Sequence, residues 1–183
     1  MSWGIGFALG DVGFTSLGQI QFPNALSKAH AKYAIKMIAN WIHIVIVHLA
    51  VIGTPYLAYR AVVYRQVPLD AQPWKNTYSG LIILTTITAI AYFTGPDTSE
   101  WVKEILASFS QDQVEDHALW GRIAFVIQGI AGLLGIMGWA SILQEEKPDR
   151  RIPGILIALL VVNTLVIFYT AHLGGMIRRM DLM

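Results

Sequence analysis

Four stretches of this chain are each long and apolar enough to cross a bilayer, and that fact removes most folds from consideration. A spanning helix needs about 20 mostly apolar residues, and the segments at roughly 39–63, 77–95, 118–143 and 153–176 meet the requirement. Within hydrocarbon every backbone N–H and C=O has to be bonded inside the protein, so spans of this length are helices. The reading is an all-α, integral membrane four-helix bundle with short interfacial helices. Composition agrees: 55% of the 183 residues are hydrophobic, 14% are charged and the mean hydropathy is +0.52, too apolar for a domain dissolved in water.

Gly95-Pro96, Pro148 and Pro153 read as helix boundaries. Residues 1–38 read as an N-terminal arm that ends in a basic amphipathic segment. There Lys28, Lys32 and Lys36 recur every four residues, which suits an interfacial helix or an extension of the first span. The opening glycine-rich residues lack a basic leader and are broken by Asp11, so they do not read as a secretory signal. Trp101, Val102, Ile105, Leu106 and Phe109 stand at helical spacing and predict a second interfacial helix over about 98–110. Asp112 and Glu115 have the spacing of a capping box ahead of the third span. Residues 177–183 form a short C-terminal tail.

With four spans, the N-terminus, the second connection and the C-terminus share one membrane face, here face A; the first and third connections share face B. Lys and Arg divide evenly between the faces. Those on face B are packed into short connections such as Lys147-Pro-Asp-Arg-Arg151, which points to face B as cytoplasmic.

There is no cysteine, which excludes disulfides, thiolate ligands, iron–sulfur clusters and covalently attached haem. A net charge of +1 with scattered bases gives no polyanion signal, so no nucleic-acid partner is expected. No P-loop, no dinucleotide fingerprint and no His-Glu-x-x-His is present, and independent catalysis is not expected.

The histidines carry the chemistry. Ionisable groups inside a membrane are costly and mark functional positions. His43 and His48 open the first span, His117 opens the third and His172 closes the fourth, so all four lie towards face A. Residues 43 and 48 are separated by about 140° around a helix, and therefore do not chelate one ion together. Imidazoles arriving from different helices suit the two sides of a broad ring better than a compact ion, and without cysteine such a ring would be one or two b-type haems. Gly129, Gly132, Gly135 and Gly138 recur every three residues and leave a groove for a neighbouring helix or a flat ring. Arg122, Arg178 and Arg179 lie near face A, where propionates would need them.

The order of these motifs resembles a bacterial family of four-helix predicted membrane proteins whose first helix carries His-Pro-x-x-Val-His-Phe. The resemblance spans residues 40–180 and rests on His43-x-x-x-x-His48, His117 and Ala171-His-Leu-Gly-Gly-Met-Ile-Arg-Arg179, with Ile44 and Leu49 where that motif has Pro and Phe. It implies a four-helix fold and a special role for His43, His48, His117, His172, Gly174 and Gly175. More loosely, the chain is similar to small four-helix cytochrome b subunits.

The leading expectation is a b-type haem subunit that passes electrons within a respiratory or photosynthetic complex of the bacterial inner membrane. It would be surrounded by lipid and work with other redox subunits, a soluble electron carrier or quinone. A structural or assembly subunit without a redox cofactor of its own, able to hold a pigment or lipid, and a small metal-handling transporter are the alternatives. For metal, the ligands would be His43, His48, His117 and His172; the transporter reading uses His43, His117 and His172 with Asp97, Glu115 and Asp116.

Overall fold

The computed structural model describes residues 24–105 and 110–178. They form four helices and, among the described residues, no strand: α1 (Asn24–Val63), α2 (Gln72–Ile105), α3 (Gln111–Leu143) and α4 (Ile152–Arg178). Each holds a stretch long and apolar enough to cross a membrane, so the chain is a multi-pass α-helical membrane protein. Helix α3 packs against both α2 and α4.

One boundary differs from the sequence reading. Gly95-Pro96 does not end a helix: Pro96 lies inside α2, and residues 98–105 continue that helix rather than forming a separate surface segment. Proline withholds a backbone donor and crowds the preceding turn, but side chains bond the carbonyls around this point. His43 Nδ1 lies 2.9 Å from Ala91 O, Thr98 Oγ1 donates to Thr94 O at 3.0 Å and Ser99 Oγ donates to Pro96 O at 3.0 Å. The carbonyl that loses its helical donor to Pro96 is that of Tyr92; these side chains bond its neighbours and brace the turns on either side.

The basic segment at the end of the arm continues into the first span, the second of the two forms its spacing allows. Lys36 Nζ reaches Glu104 at 2.7 Å and Glu100 at 3.7 Å, which ties α1 to the last turns of α2. Both carboxylates are well exposed, so the pair orients more than it stabilises.

Helix α3 starts as a helix before its apolar part, as expected, but Ser110 is its cap. The serine side chain accepts from Gln113 N, while Glu115 accepts from Gln111 Nε2 at 2.9 Å.

The core lies towards face B, where Leu57, Ala58 and Ala61 of α1 meet Trp74, Tyr78, Leu81 and Leu84 of α2, with Ala131 of α3 and Ile152, Leu156 and Leu160 of α4 completing the cluster. Small residues set the helix spacing. A Cβ at Gly53 would come within 2.7 Å of Leu84, and one at Gly80 within 2.8 Å of Leu57, so α1 and α2 exchange leucines into each other's glycines. Membrane helices associate through close packing of this sort rather than through hydrophobic exclusion.

Candidate functional site

Three of the four histidines are held by their Nδ1 atoms. A backbone carbonyl can only accept, so a ring nitrogen bonded to one carries the proton. His43 Nδ1–H donates across the helix interface to Ala91 O, with Thr94 Oγ1 at 3.1 Å. His117 Nδ1–H donates to Thr170 O on α4 at 2.9 Å. His48 Nδ1–H donates to Ile44 O of its own helix at 2.6 Å.

His43 and His117 are half-buried clasps. One pins α1 to α2 and the other pins α3 to α4. Gly174 makes the second clasp possible: a Cβ there would stand 3.0 Å from His117 Cε1, so the imidazole lies directly against the α4 backbone. A Cβ at Gly175 would meet nothing within 4 Å. Next to this clasp the rings of Trp120 and Tyr169 pack edge to face, 4.9 Å apart.

His48 and His172 face outwards and are exposed. The four histidines therefore lie in the same half of the bundle without sharing a site, because residues on different helices and at different levels point in different directions around their axes. Among the described residues no three His, Asp or Glu side chains gather closely enough to hold a metal ion. Arg122 is exposed on α3. Arg178 ends α4, and its side chain, like the whole of Arg179, lies outside the described residues.

The glycine row belongs to helix packing. A Cβ at Gly132 would come within 2.8 Å of Thr85 Cβ, one at Gly135 within 3.0 Å of Leu81 Cβ and one at Gly138 within 2.6 Å of the Tyr78 ring. Helix α2 fills the groove at Gly132 and Gly135, which therefore give no room to a macrocycle. A haem clamped inside the bundle by the face A histidines does not fit this arrangement. The groove is filled by α2 at Gly132, Gly135 and Gly138, His43 and His117 each bond a different neighbouring helix through Nδ1, and His48 and His172 are exposed.

The structure brings together a different polar group. Thr85, Gln128 and Asn163 meet midway along α2, α3 and α4, with Gln128 and Asn163 wholly buried. Asn163 Nδ2 donates to Gln128 Oε1 at 3.1 Å, Gln128 Nε2 donates to Thr85 Oγ1 at 3.3 Å, and Thr85 Oγ1 donates to Gln128 O at 3.0 Å. Asn163 Oδ1 is left without a partner. The signal for this network is an amide in the middle of each of the last two apolar runs, and a reading centred on ionisable groups passes over it.

The outer face of α1 carries the other unexpected feature. Trp41, Val45, His48, Ile52, Tyr56 and Tyr59 follow one another at intervals of three and four residues, and every one is exposed. They form a continuous stripe with the imidazole near its middle.

Comparison with protein-family models, curated proteins and solved structures gives no match.

Proposed function

We propose that this chain is a structural subunit of a larger membrane assembly, with no redox cofactor of its own, and that a partner subunit covers the Trp41–Tyr59 stripe of α1. The observation that carries the reading is the exposed imidazole of His48. It lies about 13 Å along the helix from the face A end of the span, at the usual rise of about 1.5 Å per residue. Its Nδ1–H is bonded within the helix, so in the neutral ring Nε2 is an acceptor with no partner among the described residues. Hydrocarbon offers no donor, and an unpaired polar group there costs several kcal/mol. A partner helix bearing a hydroxyl or amide opposite His48 removes that cost.

The low burial of α1 supports the same reading. Only 12% of its most apolar window is buried, against 39% for α4. The clasps at His43 and His117 stiffen a body whose task is to hold a surface in place. The bases in the short face B connections support a cytoplasmic face B, and the motif resemblance supports a bacterial inner membrane.

A second reading rests on the same imidazole. A bond from Nδ1–H to a carbonyl is the arrangement that presents Nε2 to a metal. Used in this way, His48 would be an axial ligand for a haem b or a chlorin at the boundary between this chain and a redox partner, outside the four-helix core. Such a ring would supply electron transfer or light absorption.

Optical spectra of the native complex separate the two readings. For the structural reading, His48→Leu weakens co-purification of the partner and leaves reduced-minus-oxidised and pigment spectra unchanged. Loss of one haem or chlorin band in that variant, with a positive pyridine haemochrome or pigment extract from the wild type, favours the ligand reading and overturns the structural one.

A further inference from the structure

The connections on face B enclose a cleft of about 450 Å³ that none of the features above uses. Its walls come from residues 65–70 of the first connection and from Lys147, Pro148, Arg150 and Pro153 around the third. That volume lies within the range of small-ligand sites.

Charge in the cleft is unbalanced. Arg65, Lys147 and Arg150 face Asp70 as the sole lining carboxylate. Arg65, Lys147 and Arg150 make no salt bridge to a carboxylate among the described residues. Glu145, Glu146 and Asp149 lie on the same connection but do not line the cleft, and Asp149 Oδ1 accepts from Arg151 N at 2.8 Å. Arg60, also at this end of the bundle, is satisfied by the protein, with Nη2 donating to Pro73 O at 2.8 Å and the guanidinium 5.0 Å from the centre of the Tyr64 ring. The cleft cations have no such partners.

The helix ends add to the field. Helices α2 and α4 both begin on face B, and neither has an acidic residue in its first turn. Helix N-termini carry a partial positive charge. That of α4 borders the cleft through Pro153.

Depth selects among anions. The connections leave the bundle beside the exposed Tyr59 and the half-buried Tyr64, aromatic residues of the kind that mark a membrane boundary. Val67, Pro68, Leu69, Pro148 and Pro153 give the cleft an apolar side along which an acyl chain can run. Basic pockets between membrane helices on the cytoplasmic side take anionic lipid headgroups.

We propose that the face B cleft binds the phosphate headgroup of an anionic phospholipid through Arg65, Lys147 and Arg150. The inference is independent of what covers α1. The test is native mass spectrometry of the full chain released from nanodiscs that contain phosphatidylglycerol and phosphatidylcholine in equal amounts. Wild type is expected to retain phosphatidylglycerol preferentially. The variant Arg65→Gln/Lys147→Gln/Arg150→Gln is expected to bind it about a hundredfold more weakly, because each basic residue near an anionic headgroup contributes about fivefold. Arg122→Gln/Arg151→Gln, which removes two exposed arginines that do not line the cleft, is expected to behave as wild type.

All five positions are exposed, and circular dichroism checks that helicity is unchanged. Equal retention of the two lipids by wild type, or retained preference in the triple variant, overturns the proposal. Displacement of the bound lipid by millimolar inorganic phosphate would show a soluble anion to be the ligand, and overturns the lipid assignment as well.

Discussion

Gly138→Ala is expected to destabilise the bundle by about 1–3 kcal/mol, the range for overfilling a close-packed site, whereas Gly129→Ala on the same helix is expected to be neutral or slightly stabilising. Both glycines belong to one row repeating every three residues, so the sequence pattern treats them alike. Their surroundings differ. A methyl group at 138 would stand 2.6 to 2.8 Å from three carbons of the Tyr78 ring, while one at 129 would meet nothing within 4 Å. Tyr78 has little freedom to give way: it is fully buried, with the Trp74 ring 5.6 Å away. At 129 the alanine gains about 0.5–1 kcal/mol of helix preference over glycine. Thermal unfolding of the two variants in the same detergent is the check, and equal midpoints would show that α2 does not fill the groove.

The second large effect is expected at the buried amides. Gln128→Leu removes the one hydrogen-bond partner that the Asn163 side chain has among the described residues, its Oδ1 having none there. It also deprives Thr85 Oγ1 of a donor. A buried polar group left unpaired costs about 1–3 kcal/mol. Measured hydrogen bonds between membrane helices average lower, about 0.6 with a maximum near 1.7, so a loss of about 1–2 kcal/mol is expected here, from the Asn163 amide, because Thr85 Oγ1 keeps its bond to the backbone carbonyl of residue 128.

Gln128→Leu/Asn163→Leu should recover most of that loss, since apolar replacement of both partners leaves nothing unsatisfied. The four-variant cycle measures the coupling directly. Additive single effects would mean that the two amides are not bonded to each other. Helix α3 carries this network and the glycine row on the same side, as the buried set Gln128, Ala131, Gly132, Gly135 and Gly138 shows. The expected destabilisation therefore falls on the interfaces that make α3 the centre of the bundle.

How much of this was legible from the residues alone differs between the fold and the site. The four spans were readable because hydrocarbon permits few structures, and a run of apolar residues reports that constraint locally. Gly95-Pro96 misled because proline in a membrane helix removes one bond without ending the helix; α2 runs on through Pro96, with His43, Thr94, Thr98 and Ser99 bonding carbonyls in the neighbouring turns.

The depth of the histidines was readable by counting along helices. Their directions were not, since these depend on which neighbouring carbonyl takes each ring: Ala91 O for His43 and Thr170 O for His117. The glycine spacing fitted a helix and a flat ring equally well, and only the positions of Thr85, Leu81 and Tyr78 decide between them. Gln128 and Asn163 stood in plain view as mid-span amides, but nothing in a linear pattern pairs residues 35 positions apart on separate helices. Gly174 was singled out with the other motif positions, and its role as the seat of His117 needed the facing helix.

The proposal that a partner covers the outer face of α1 admits a direct measurement. The chain has no cysteine, so Ile52→Cys and Leu165→Cys each place a single nitroxide label, the first on the stripe beside His48 and the second on the exposed face of α4. Collision of the label with dissolved oxygen, read by electron paramagnetic resonance in the native membrane, reports contact with lipid. The expected result is a label at 52 that is immobilised and shielded from oxygen, beside one at 165 that is mobile and accessible, with the shielding unchanged in a chain lacking residues 1–23. Oxygen reaching position 52 as freely as position 165 would contradict a partner on this face, and loss of shielding on removal of residues 1–23 would assign the cover to the chain's own N-terminal segment.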